Sequence, residues 1–138
     1  PGEGLAGAVA VRLRAHGIRP TAQRVHIAMV VLARNQHLSA EDVLAQVNTF
    51  DPVVSKATVY NTLGLFSRHG LVRELIVDRQ KVFYASNVSE HYHLYDVDSG
   101  RLTDVPREAI SFDGMPDLPP GTVLEGLDVI VRVRSRSG

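Results

Sequence analysis

Apolar residues recur at helical spacing in four short segments of the first half of the chain. Three of these segments follow a residue whose side chain can accept a hydrogen bond from an early helical N–H group: Thr21, Ser39 and Ser55. The first helix is predicted over residues 5–16, with Leu5, Val9 and Leu13 on one face. The fourth helix is predicted over residues 56–69, with its buried stripe at Val59, Leu63 and Phe66.

A β-hairpin is predicted directly after the fourth helix. Strand-like runs at 71–77 and 81–86 flank a polar turn. Several short helices followed by a hairpin are typical of a winged helix-turn-helix. We therefore predict such a domain over residues 1–86.

The pattern changes beyond this hairpin. Residues 91–97 and 101–105 are strand-like around a turn, and a proline-rich loop follows them. Residues 127–134 alternate between apolar and polar positions, as in a half-buried strand. The fold class predicted for the whole chain is therefore α+β. Residues 87–138 form its second, small α/β domain with a short antiparallel sheet.

Composition narrows the chemistry that is available to the chain. Cysteine is absent from the 138 residues, which excludes disulfides, thiolate zinc sites and cysteine nucleophiles. No apolar run is long enough to span a membrane, and we expect a cytoplasmic protein. The net charge is zero, but residues 1–85 hold ten basic and six acidic residues (+4), and residues 86–138 hold five and nine (−4). A basic first half can attract phosphate groups.

The fourth predicted helix has a polar face suited to reading DNA. Lys56, Tyr60, Asn61 and Arg68 lie opposite its apolar stripe. Asparagine can pair with adenine through two hydrogen bonds, and a tyrosine ring can pack on thymine methyl groups. The alternative is an ordinary solvated helix face. The hairpin favours DNA binding, because a wing commonly contacts the DNA backbone or the minor groove.

Four motifs in order resemble those of the ferric uptake regulator family. They are GIRPTAQR (17–24), HLSAED (37–42), ATVYNTL (57–63) and HYH (91–93). The resemblance implies a homodimeric transcriptional regulator, not an enzyme, that binds double-stranded DNA at A/T-rich inverted repeats. It further implies that Tyr60 and Asn61 read bases, that Arg19 enters the minor groove, and that Thr58 and Arg24 hold phosphates.

The histidines of the fourth motif are candidate metal ligands. His91 and His93 point to the same side of a strand, and neutral imidazole is a common ligand of Zn, Mn and Fe. The resemblance adds His37 and a carboxylate on the preceding hairpin strand. Tyr84 stands at that position here, and Glu90 is a possible substitute. The alternative for the two strand histidines is a surface pair without metal.

A second departure from the family concerns structural zinc. Many members carry a CxxC pair where this chain reads DVDS (96–99), so no structural zinc held by four cysteines is expected. By the same resemblance, residues 87–138 form the dimerisation and sensing domain, held by strand pairing and apolar contacts.

The end of the chain resembles the iron response regulator branch of the family, in the runs RLTDVP (101–106), LPPG (118–121) and LDVIVRVR (127–134). That branch implies control of iron and haem genes. The expected ligand is Fe²⁺ or Mn²⁺ at a histidine-rich site, or haem. A constitutive regulator that has lost its sensor is the main alternative. A small HxH metalloenzyme is the remote one, because the helical first half leaves no room for a β-barrel.

Overall fold

The computed structural model describes residues 2–86 and 91–136, which fall into two units, residues 1–88 and 89–138. The first unit contains α1 Gly2–Ala15, α2 Ala22–Val31, β1 His37–Leu38, α3 Ala40–Val47, α4 Lys56–Arg68, β2 Arg73–Asp78 and β3 Lys81–Ala85. The second contains β4 Tyr92–Asp96, β5 Leu102–Val105, a 3-10 turn Arg107–Ala109 and β6 Ile130–Val133. Helices and small sheets in this arrangement confirm the predicted α+β class.

The predicted caps begin α2, α3 and α4. Thr21, Ser39 and Ser55 each accept a hydrogen bond from the backbone N–H three residues on. Asp42 also accepts from the backbone N–H of Ser39, which completes a capping box. Each such cap contributes about 1 kcal/mol, so local sequence determines where these helices start.

The core of the first unit lies among its four helices and the hairpin. Val59, Leu63 and Phe66 of α4 are fully buried, as predicted. On the predicted apolar face of α1, Val9 and Leu13 are buried, whereas Leu5 is 50% exposed. Residues 4–8 of α1 are largely solvent-exposed, and the helix enters the core only from Val9 onward.

The sheet of the first unit has the strand order β1-β3-β2. β2 and β3 form the predicted antiparallel hairpin, with a register shift between Ile76 and Asp78. β1 pairs with the other edge of β3, so that His37 lies opposite Ala85. This two-residue strand fixes the backbone immediately before α3.

The sheet of the second unit has the order β5-β4-β6. β4 and β5 form the predicted antiparallel pair, and β6 joins the other edge of β4 in parallel. The sheet is therefore mixed, because the chain returns through a long segment before it adds the last strand. Across residues 91–136 the structure has no α-helix, so the helical part predicted for this domain is limited to the 3-10 turn. Among the described residues, no helix has the length and hydropathy needed to cross a bilayer.

Candidate functional site

Two histidines and an aspartate come together on the sheet of the second unit. His91 directly precedes β4 and His93 lies within it, while Asp104 lies on β5 opposite His93. The Nε2 atom of His91 is 2.9 Å from Oδ1 of Asp104, and the Nε2 atom of His93 is 3.5 Å from the same oxygen. The two imidazole rings have their centroids 4.6 Å apart. The predicted alternation along the strand therefore brings both histidines to one side.

The chemistry of this cluster suits a divalent transition-metal ion. Potential ligand atoms of the three residues lie within 4.8 Å of one another. Two imidazole nitrogens and a carboxylate oxygen are a ligand set that Fe, Mn and Zn accept. The His93 side chain is only 3% exposed and that of Asp104 is 44% exposed, so the cluster is closed on one side and open on the other.

Asp104 is the residue that the sequence analysis missed. The sequence predicts the turn between the two strands at residues 98–100, but this turn does not give the exact register of the pair. Pairing outward from that turn places His93 opposite Val105, whereas in the structure Tyr95 lies opposite Leu102 and His93 lies opposite Asp104. A carboxylate directly across from a histidine on an antiparallel pair is within reach of the same ion.

Of the other predicted ligands, two belong to the first unit and one lies outside the described residues. His37 lies on β1 in the first unit. Tyr84 lies on β3 and is almost fully buried, packed against the core of that unit. Burial raises the pKa of the Tyr84 phenol, and the nearby carboxylate of Glu74 raises it further, which disfavours the tyrosinate that ferric iron would need. Glu90 lies outside the residues that the structure describes.

The exposed face of α4 carries the predicted DNA-reading residues. Lys56, Tyr60, Asn61 and Arg68 are all exposed, while the apolar stripe of the helix is buried. Thr58, in the first turn of α4, is half-buried, and its hydroxyl accepts a hydrogen bond from that of Ser55.

A groove of about 240 Å³ runs beside this face. It is lined by Arg24 on α2 and by Asn61 and Arg68 on α4, among others. Nη1 of Arg24 donates to the backbone carbonyl of the exposed Arg19 at 2.9 Å. Two guanidinium groups and an amide around one groove form a surface that suits a phosphate.

Two charged side chains lie next to the side chain of Tyr60. Its hydroxyl donates a hydrogen bond to Oε1 of Glu41 in the first turn of α3. Nζ of Lys56 lies 5.8 Å from the centroid of its ring. The hydrogen bond lowers the pKa of Glu41 and raises that of Tyr60, so the carboxylate stays charged and the phenol stays protonated.

The loop at residues 96–99 is closed by its own carboxylates. Oδ1 of Asp96 accepts hydrogen bonds from the backbone N–H groups of Asp98 and Ser99, at 2.9 and 3.3 Å. Asp98 accepts one from the backbone N–H of Ser135, just beyond β6. The Asp96 carboxylate thus closes the β4–β5 turn, and the Asp98 carboxylate ties this turn to the chain after the last strand.

Comparison with known proteins gives consistent matches. The sequence profile of the ferric uptake regulator family matches residues 15–113, more than half of the chain. The peroxide-responsive repressor PerR of Staphylococcus aureus (strain Mu50) is 32% identical over 92 residues, 67% of this chain. The chain spans 62% of the length of that curated relative.

Solved structures match over most of the chain. The ferric uptake regulator from Pseudomonas aeruginosa with manganese is 26% identical, with a TM-score of 0.69 over 94% of this chain and 98% of its own. The ferric uptake regulator from Francisella tularensis with iron is 22% identical, with a TM-score of 0.70 over 87% of this chain and 93% of its own. The second of these comparisons shows a shared fold.

Proposed function

Because the chain belongs to the ferric uptake regulator family, we propose that it is a DNA-binding transcriptional regulator whose affinity for DNA responds to a bound metal ion. The observation that carries this proposal is the exposed face of α4, where Lys56, Tyr60, Asn61 and Arg68 lie together over a buried apolar stripe. Members of the family are transcriptional regulators and not enzymes, which supports the expectation that this chain catalyses no reaction.

The proposed DNA complex is a homodimer on an A/T-rich inverted repeat. Residues 1–86 are the reader, and residues 87–138 are the dimerisation and sensing domain. Tyr60 and Asn61 contact base edges in the major groove, and Arg19 reaches the adjacent minor groove. Arg24, Thr58 and Arg68 hold phosphates. Half-sites about one helical turn apart follow from two readers related by a two-fold axis.

The proposed sensor is the cluster of His91, His93 and Asp104, with His37 as a further ligand by family resemblance. The relative from Pseudomonas aeruginosa, whose structure contains manganese, supports Mn²⁺ as the ion, and Fe²⁺ is the other candidate by family resemblance. Asp104 supports a small cation, because its carboxylate lies beside both strand histidines and supplies negative charge. A bound ion shifts DNA affinity only by the difference between its affinities for the DNA-competent and incompetent arrangements.

We further propose that the protein belongs to the iron response regulator branch and controls iron and haem genes. The sequence runs after residue 100 and the cysteine-free turn at 96–99 support this assignment. It makes haem the second candidate ligand, and a DNA-binding titration with each ligand separates the two.

Fluorescence anisotropy tests the proposal. A labelled A/T-rich inverted repeat is titrated at fixed salt with metal-free protein, with Mn²⁺ as a stable surrogate for Fe²⁺, and with haem. We expect DNA affinity to change with Mn²⁺ and this change to be lost when His91→Ala and His93→Ala are combined. His16→Ala, in the first unit, is the matched control and keeps the response.

The other outcomes decide between the alternatives. A response to haem with none to Mn²⁺ would identify the haem-sensing regulator. DNA binding that is indifferent to both ligands would identify a constitutive regulator with a lost sensor. Absence of any preference for the repeat over random DNA would contradict the proposed target.

A further inference from the structure

The contact between Tyr60 and Glu41 joins the proposed recognition helix to the helix before it. These residues are 19 positions apart in the sequence, and Glu41 lies in the exposed first turn of α3. Tyr60 is itself 41% exposed, so its ring is available to a partner while its hydroxyl is committed. The base-reading side chain is thus oriented by a residue outside its own helix.

We propose that Glu41 is a positioning residue that determines specificity, because it fixes Tyr60 so that the exposed ring packs on a thymine methyl group. This inference rests on the proposed DNA-reading role of α4. A tyrosine that keeps one orientation presents its ring to one base step. A tyrosine without this anchor rotates about two side-chain torsions and contacts neighbouring bases without preference.

The hydroxyl group of Tyr60 has only one proton, so its hydrogen bond to Glu41 determines whether it can donate to DNA or only accept. Tyr60 donates that proton to a carboxylate, and hydrogen bonds to charged acceptors are stronger than neutral ones. The phenolic oxygen is then left as an acceptor. Facing the major groove, it suits the amino group of adenine or cytosine, while the ring suits the methyl group of thymine.

The charge of Glu41 opposes DNA binding, which argues that the residue serves orientation and not attraction. Lys56 and Lys81 both act on its carboxylate electrostatically, so the acid lies within the cationic surface that phosphates would approach. A carboxylate there repels the DNA backbone. Removing its charge should therefore raise affinity for all DNA, whereas removing its hydrogen-bond acceptor should lower base discrimination.

Two variants separate charge from orientation. Glu41→Gln removes the charge and keeps an oxygen that can accept from Tyr60. Glu41→Ala removes both. Glu74→Gln, an exposed carboxylate on β2 of the same unit, is the matched control for charge alone.

The experiment compares thymine with uracil, which differ by one methyl group. DNA is first selected from a random pool with the full chain, once metal-free and once with Mn²⁺, and each thymine of the selected half-site is then replaced in turn by uracil. For the wild type we expect about a fourfold loss of affinity at the position that Tyr60 contacts, the effect of one buried methyl-sized group. Glu41→Ala should reduce that loss to less than about twofold, and Glu41→Gln should keep most of it while it raises affinity for all sequences.

A double-mutant cycle with Tyr60→Phe completes the test. If Glu41 acts through the hydroxyl of Tyr60, then Tyr60→Phe alone, Glu41→Ala alone and the double variant all show the same reduced uracil effect. A fourfold uracil effect that survives Glu41→Ala would overturn the inference, as would effects of the two substitutions that multiply. Failure of both selections, metal-free and with Mn²⁺, to enrich any sequence would instead overturn the proposed function itself. Urea midpoints of the variants exclude unfolding as the cause.

Discussion

The two units of this chain differ in how many of their large apolar side chains are exposed. In residues 2–86 the large apolar residues of the helices and hairpin are mostly buried in one core, with Leu13, Leu63 and Phe66 fully enclosed. In residues 91–136 many apolar side chains are exposed, among them Phe112, Met115, Leu118, Val123, Leu124, Val131 and Val133. The first unit is therefore stabilised by its own core. The second has the apolar surface expected of a domain that is completed by a second copy, which supports the proposed homodimer.

The largest effect should come from the core of the first unit. We expect Phe66→Ala to lower the free energy of unfolding by about 3–5 kcal/mol, because it leaves a cavity where a fully buried ring was. Urea unfolding followed by helical circular dichroism measures it, since all α-helices of the described residues lie in this unit. The same truncation at exposed Phe112 in the second unit should cost far less in dilute protein, as measured by hydrogen exchange of the amides in β4 and β5. Equal losses of unfolding free energy would contradict this difference between the two units.

The next effect concerns metal and the second unit. At a concentration of Mn²⁺ about 100 times its dissociation constant, we expect binding at the histidine cluster to stabilise the second unit by about 2.7 kcal/mol. Hydrogen exchange of the amides in β4 and β5 measures this stabilisation. Asp104→Asn should weaken Mn²⁺ binding at least about tenfold, which is about 1.4 kcal/mol.

The control for that substitution is Asp113→Asn, which changes an exposed carboxylate in the same unit. It should leave both Mn²⁺ affinity and hydrogen exchange unchanged. Equal weakening by the two substitutions would show that overall charge, and not ligation, attracts the ion.

A smaller effect is expected at the edge strand of the second unit. Val133 on β6 is exposed in the single chain, and Val133→Asp should weaken the proposed dimer by about 1–3 kcal/mol because a charge is then buried at the interface. Sedimentation velocity across a dilution series measures the dissociation constant. Val11→Asp, at an exposed position on α1, is the control and should leave that constant unchanged. A shift with Val11→Asp alone would move the interface to the first unit.

The smallest effect tests whether burial in the first unit extends to Tyr84. Burial raises the pKa of this phenol above its ordinary value of about 10, so its neutral form is favoured in the folded state. Its contribution to stability is therefore fully present below a pH of about 10 and is lost as the pH rises through the folded pKa. Tyr84→Phe should remove that part of the alkaline loss. The urea midpoints of the two proteins are measured at a pH of about 8 and again at about 11. An equal drop in midpoint for both proteins would contradict the burial of this group.

What the sequence could predict follows from how local each feature is. The caps at Thr21, Ser39 and Ser55 and the stripe of α4 depend on residues a few positions apart within one helix, and these predictions are confirmed. The pairing of β4 with β5 was predicted in the same way, but Asp104 was not identified, because a turn at residues 98–100 gives a register one residue away from the one that places Asp104 opposite His93.

The features that the sequence analysis could not reach depend on distant packing. β6 lies beside β4 in parallel, and no local pattern places a strand near residue 130 next to one near residue 93. The hydrogen bond between Glu41 and Tyr60 depends on how α3 packs on α4. Leu5 follows the correct period, but periodicity does not show how far a helix extends beyond the core.

The turn at residues 96–99 has a consequence for how this protein meets oxidants and chelators. It is closed by hydrogen bonds from backbone N–H groups to Asp96 and Asp98, and such bonds contain neither a thiolate that peroxide can oxidise nor an ion that a chelator can remove. An oxidant or chelator that acts on the proposed metal site therefore has no target in the hydrogen bonds of this turn. A chelator that removes the ion from the proposed sensor leaves these hydrogen bonds in place, so the protein can return to its metal-free state without unfolding at this turn.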